Sequence, residues 1–312
     1  MSKPIIALSR PMPAAFMQLV GSLGEIVLRE NNRYPEDVSI YITTPMDATD
    51  SAVITALPDT VKLIASMGVG TDHIDLAAAK ARGITVTNTP VVTEDTADLC
   101  WALLMATMRG LTRNEELLRA GAWDGMLPGA MMGSRVHGKT LGIIGFGAIG
   151  QAVARRAQGF GMPIIYTGPN RKLAAEEELR ASYCDSVQQL VSQADVVSLH
   201  CPLTDDNRHL INAGMLAKFK AGSTLINTGR GPLIDEAALV TALQEGPLNN
   251  AGLDVFEFEP KVTQDLLELN NVTLLPHLGS ATNECRFDVM MRLYENIQQF
   301  QQAGAGKDPV AG

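Results

Sequence analysis

The 312-residue chain has no CxxC pair, no basic stripe, no internal repeat and no low-complexity stretch. Its four cysteines, Cys100, Cys184, Cys201 and Cys285, lie far apart. That spacing excludes a disulfide-stapled fold and a zinc framework, so they read as reduced, mostly buried thiols. No segment reaches the roughly 20 apolar residues that a membrane span requires. The opening MSKPIIALS is too short in its apolar run for a secretory signal and reads as a first strand. A formal charge of −9 argues against a polyanionic partner such as nucleic acid. These absences predict a soluble cytoplasmic protein with no metal site, no nucleic-acid partner and no membrane partner.

What is present is a regular alternation. Short apolar runs read as strands at Ile5–Ser9, Val38–Ile42, Lys62–Ser66 and Ile84–Val86. A second series follows at Thr140–Ile144, Pro163–Thr167, Asp195–Leu199, Thr224–Asn227, Ala251–Val255 and Val272–Leu275. Helical patterns separate them, among them Asp75–Arg82, Gln151–Phe160, Asp235–Glu245 and Asn283–Gln302. Alternation of this kind predicts parallel sheets covered on both faces. Two longer helical patterns, Glu94–Arg109 and Leu111–Gly121, divide the two series, and the last helix follows the final strand. The expected fold is α/β, with two Rossmann-like doubly wound parallel-sheet domains and a cleft between them. One domain is discontinuous, 1–96 plus 282–312, and binds substrate; the other, 97–281, binds dinucleotide. The tail AGAGKDPVAG is small and polar and reads as loose.

The strand at 140–144 runs into Gly145-x-Gly147-x-x-Gly150 and then a helical segment. Strand, tight turn and helix start together hold a dinucleotide pyrophosphate: Gly145 permits the turn, Gly147 admits the phosphates, Gly150 lets helix and strand approach. The helix N-terminus adds free N–H groups and a favourable dipole. Ligands of such sheets bind beyond the carboxyl ends of the strands. Three later strands end in Thr228-Gly229-Arg230-Gly231, in Phe256-Glu257-Phe258-Glu259-Pro260 and in Pro276-His277-Leu278-Gly279. One edge would therefore carry a cation for an anionic substrate, a carboxylate and a proton carrier.

Seven ordered segments carry a resemblance: SMGVGTDHIDLAAAKARGITVTNTP (66–90), TADLCWALLMATMR (96–109), GKTLGIIGFGAIGQAVARRA (138–157), HCPLTDDNRHLIN (200–212), INTGRGPLIDEAAL (226–239), AGLDVFEFEP (251–260) and LPHLGSAT (275–282). The chain resembles the D-isomer-specific 2-hydroxyacid dehydrogenases, close to their glyoxylate/hydroxypyruvate reductase branch. The resemblance implies hydride transfer from a nicotinamide cofactor to a small 2-keto acid. His277 would protonate the ketone oxygen, Glu259 would orient it, and Arg230 would clamp the substrate carboxylate. Val69 and Gly70 would bind the same carboxylate through their N–H groups. Cofactor contacts would come from the three glycines with Ala148 and Ile149, from Cys201, Pro202 and Asn207, and from Thr228, Gly229, Asp254 (at the carboxamide), His277 and Gly279. A homodimer through the nucleotide domains is implied, with Trp123 as a residue that could reach the neighbouring pocket.

Cofactor choice is read from the second nucleotide-domain strand. An NAD enzyme places Asp or Glu at its end for the ribose 2′-OH. Here the turn is Thr167-Gly168-Pro169-Asn170-Arg171-Lys172, without a carboxylate. NADP(H) is therefore expected over NAD(H), with Asn170 and above all Arg171 on the 2′-phosphate, and NAD(H) as a possible second cofactor. Two other readings stand beside this one. The first is a dinucleotide-sensing corepressor on the same fold, against which Arg230, Glu259 and His277 argue. The second is a related dehydrogenase acting on another small anion such as phosphite or formate.

Overall fold

The computed structural model describes residues 3–28, 34–126, 129 and 132–310. The chain forms two compact units, Met1–Val92 with Ser280–Gly312, and Thr93–Gly279. The sequence had suggested divisions at 96/97 and 281/282. The first division falls earlier because Thr93–Arg109 is one continuous helix, counted whole in the second unit.

The first unit is built on a five-stranded sheet of β1 (Ile5–Leu8), β2 (Glu25–Leu28), β3 (Val38–Thr43), β4 (Leu63–Ser66) and β5 (Thr85–Thr87). The strands are ordered β2-β1-β3-β4-β5, all parallel. Alternate residues serve opposite faces. Ile6, Leu8, Ile40 and Ile42 join a core with Leu293 and Ile297 of the helix Asn283–Ala303. Ala7, Tyr41 and Ile64 enter a second core with Ile54 and Ala79. The tail is not loose as far as it is described. Asp308 pairs with Arg292 at 3.1 Å, its N–H donates to the buried Asn296, and Val310 N–H donates to Val86. Residues 311–312 lie outside the described residues.

The second unit has a seven-stranded parallel sheet ordered β12-β11-β10-β9-β6-β7-β8. Its strands are β6 (Leu141–Ile144), β7 (Ile164–Thr167), β8 (Ala181–Tyr183), β9 (Val196–Leu199), β10 (Ser223–Asn227), β11 (Leu248–Leu253) and β12 (Val272–Leu274). Leu141, Ile143, Val196 and Ile226 face one core, shared with Ala97, Cys100 and Leu104 of the helix Thr93–Arg109. Ile144, Val197 and Leu225 face the other. Burial on both faces explains why these strands read as continuous apolar runs. β2 and β8 carried no such signal, being edge strands that expose Glu25, Leu28 and Ser182. The chain order reverses at β6, which lies between β7 and β9. In a sheet of this kind the crevice at such a switch point is where ligands bind. No helix among the described residues is long and apolar enough to cross a membrane.

Candidate active site

The turn after β6 uses its three glycines for three reasons. Gly145 has φ +96°, and a side chain there would run into the backbone of Cys201. A methyl at Gly150 would overlap the carbonyl oxygen of Gly145. Gly147 has an ordinary φ of −80° and nothing within 4 Å of a methyl built on it. Neither backbone strain nor packing calls for glycine at Gly147, so its missing side chain leaves room beside the helix Ala148–Gln158. That helix has no side-chain cap at Gly147, so its first N–H groups are left for a ligand. A cavity of about 450 Å³ opens here, walled by Gly145 and Gly147, by Gly168, Asn170 and Lys172, and by Cys201, Pro202 and Asn207. Its size and position at the switch point fit a dinucleotide.

The turn after β7 departs from expectation. Arg171 does not line the cavity; its Nη2 and Nε donate to Glu176 at 2.6 and 3.1 Å, and it lies 5.5 Å from the Tyr183 ring centre. A carboxylate is thus available after all, because the helix Leu173–Leu179 folds back and returns Glu176 to the turn. Tyr166 donates to Glu176 at 2.6 Å and accepts the Lys172 N–H at 2.7 Å, while Tyr183 donates to the Gly168 carbonyl. Hydrogen bonds from Arg171 and Tyr166, with the Arg171 charge, hold the largely covered Glu176 carboxyl below its ordinary range. Of the expected pair, Asn170 reaches the cavity. Lys172, the second cation of the turn, does so too, as does the carboxylate-bearing Asp185.

Arg230, Glu259 and His277 follow β10, β11 and β12, three adjacent strands of one sheet. Buried Asn227 ties the Arg230 turn, donating to the Arg230 carbonyl at 2.9 Å and accepting the Gly229 N–H at 3.0 Å. His277 Nδ1 lies 2.8 Å from Glu259 Oε2, and Glu259 Oε1 accepts the Phe256 N–H at 2.9 Å. Burial pushes the Glu259 carboxyl up, but the bonds from His277 and Phe256 and the charges of His277 and Arg230 outweigh it. The carboxyl therefore lies below its ordinary range and is an acceptor at neutral pH. The Nδ1 proton is assigned from that acceptor, which leaves Nε2 for chemistry. His277 has φ +55°, a left-handed conformation uncommon for a residue with a side chain.

Asp254, expected at the cofactor carboxamide, directs both oxygens elsewhere. Oδ1 accepts the Leu278 N–H at 2.7 Å and Oδ2 the Gly279 N–H at 2.9 Å, while its carbonyl accepts the His277 N–H. It is fully buried, which pushes its carboxyl up. Asn207 likewise closes its own loop, bonding to the Pro202 carbonyl and the Thr204 N–H. Thr228 is buried at the end of β10. In the first unit, Val69 and Gly70 lie in the turn after β4, with the Val69 carbonyl accepting from Asn88. His200, beside Gly145, is pushed down to about 4 by burial, a neutral ring on Ser198 at 2.8 Å. Trp123 is half-exposed. No cluster of metal-binding side chains occurs among the described residues.

Comparison with known proteins identifies the family. Residues 101–279 match the family model described as D-isomer specific 2-hydroxyacid dehydrogenase, NAD binding domain. The glyoxylate reductase of Thermococcus litoralis is 41% identical, over 96% of this chain and 94% of its own. A glyoxylate/hydroxypyruvate reductase B of Escherichia fergusonii is 38% identical over 99% and 98%. Among solved structures, an NADPH-dependent glyoxylate/hydroxypyruvate reductase of Sinorhizobium meliloti, in complex with NADP and malonate, superposes with a TM-score of 0.92. It is 34% identical, covering 99% of this chain and 97% of that one.

Proposed function

The chain belongs to the D-isomer-specific 2-hydroxyacid dehydrogenases, and from that premise we propose that it reduces glyoxylate, hydroxypyruvate or a similar small 2-keto acid to the D-2-hydroxy acid, preferring NADPH. The observation that carries this reading is the His277–Glu259 pair at 2.8 Å, on a strand edge that also presents Arg230.

The bound cofactor supplies a hydride to the carbonyl carbon. Arg230 pairs its planar guanidinium with the substrate carboxylate and polarises the ketone. His277 Nε2 gives its proton to the ketone oxygen as negative charge develops there. Glu259 accepts a hydrogen bond from the Nδ1 N–H and so holds the ring in one orientation and tautomer, with Nε2 toward the substrate. The imidazole is 38% exposed, so water can return the proton. Gly147 and the helix start take the pyrophosphate. Preference for NADPH rests on Asn170 and Lys172 at the cavity, with Arg171 adding positive charge behind them. A homodimer is part of the proposal, supported by the half-exposed Leu111, Leu118 and Trp123; light scattering at micromolar concentration should give twice the chain mass.

A panel of 2-keto acids, followed by oxidation of NADPH and of NADH, tests the reading. Turnover of glyoxylate or hydroxypyruvate, faster with NADPH, is expected. Binding of the dinucleotide with no turnover of any keto acid would favour the sensing alternative.

A further inference from the structure

Glu236 is a buried carboxylate that the proposed chemistry does not use. It is 2% exposed and opens the helix Glu236–Gln244, whose N-terminus is already capped by Asp235 through the Ala238 N–H. Among the described residues it makes no ion pair. Burying a carboxylate without a cation is costly unless its oxygens are hydrogen-bonded. Here Oε1 accepts the Glu257 N–H at 2.7 Å, and Oε2 accepts the Thr263 hydroxyl. Those two bonds grip the ends of the loop segment 257–263, and Glu259 lies inside it.

The neighbouring peptide is held as closely. Glu259 itself binds the Phe256 N–H, and a methyl at Gly231 would overlap the Phe256 carbonyl. The Phe256–Glu257 link is thus in contact with the Arg230 turn on one side and with Glu236 on the other. The Glu257 carboxylate, 7% exposed, adds a restraint through His209 Nε2 at 2.6 Å and Arg208 at 3.3 Å. We propose that Glu236 is the positioning residue of the acid–base pair, holding the Glu259 loop so that its carboxylate stays on His277. The inference rests on the roles given above to His277 and Glu259.

Glu236→Ala should release the loop. Glu259 would lose its aligned donors and return toward the ordinary carboxylate range. The acid limb of kcat/KM would then move to higher pH by about half a unit or more. The other charged groups facing the pair, Asp254 and Arg230, and those on the loop, Arg208, His209 and Glu257, are unchanged in this variant. We expect kcat to fall about tenfold, as for a misplaced general acid. NADPH affinity, read by fluorescence, should hold, because the cavity wall does not include Glu236. Glu236→Gln keeps an acceptor for Glu257 and should restore the profile. If Glu236→Ala fails to fold, Thr263→Val removes one of the two bonds and should move the limb the same way by less.

A lower melting temperature with an unmoved pH profile, in whichever of these variants folds, would overturn the proposal. If His277→Ala were also fully active, the functional reading itself would fall. An inactive His277→Ala beside an unmoved profile refutes only the part given to Glu236.

Discussion

The turns after β10 and β7 leave the same edge of one sheet, and each is anchored by a fully buried side chain, but they differ in what else holds them. The Arg230 turn is fixed from beneath. Fully buried Asn227 binds both its carbonyl and an N–H, and Gly231 packs without clearance on Phe256. The turn after β7 is also held at its backbone, by fully buried Tyr166 and by Tyr183, but its arginine is tied by an ion pair and is 55% exposed. Bonds from buried side chains to backbone leave little freedom and suit groups that must meet reacting atoms. An ion pair with an exposed partner contributes little and rearranges readily, which suits the role in cofactor choice proposed for this turn. Substitutions at the first turn should therefore cost rate, and those at the second should change preference.

Between the two turns, the largest effect is expected from Arg230→Ala. Loss of a bidentate charge-assisted pair, at about 1.5–3 kcal/mol per bond, should lower kcat/KM for the keto acid by about 10² or more, while NADPH:NADH preference stays fixed. Arg230→Lys keeps the charge and loses the fork, so it should recover only part of the loss. Unchanged kinetics in either would place Arg230 outside the chemistry and dissolve the contrast between the turns.

Glu259→Gln comes next, with kcat down about tenfold, because the His277 ring has lost the carboxylate that orients it. The same pair has a stability signature. A carboxyl held below its ordinary value stabilises the fold above that value and stops doing so as pH falls through the lowered one. The melting temperature of the wild type should thus drop toward that of Glu259→Gln only below about pH 4. Equal pH dependence in the two proteins would remove Glu259 from the pair.

At the turn after β7, Lys172→Ala should lower the NADPH:NADH ratio in kcat/KM about tenfold, with NADH turnover nearly unchanged. Arg171→Ala should lower it less, since that guanidinium is engaged with Glu176. The smallest effect belongs to Glu176→Gln. Removing the carboxylate frees Arg171 and removes a repelling charge, so the ratio should rise about threefold. A fall in that variant would mean that Glu176 holds Arg171 in place for the 2′-phosphate.

Much of this was legible in the chain because strand ends are easy to find. Apolar runs buried on both faces mark β6, β9 and β10, a shorter run marks the edge strand β12, and the residues that follow these strands make up the candidate site. The edge strands β2 and β8 gave too little pattern to find. Side-chain traffic across loops was the harder part. Nothing in the spacing of Asp254 says that it serves the Leu278 and Gly279 amides. Nothing in AAEEELR says which glutamate returns to Arg171. The tail misled because small polar residues usually mean freedom, whereas Asp308 is bonded to Arg292 and Asn296.

The central claim is that the His277–Glu259 pair delivers the proton in keto-acid reduction. Initial rates of glyoxylate-dependent NADPH oxidation by the wild type and by His277→Ala, with NADPH binding verified in both, test it most directly. Wild-type turnover is expected, with a loss of about 10²–10⁴ in kcat for the variant and cofactor affinity retained. Near-full activity in His277→Ala would contradict it.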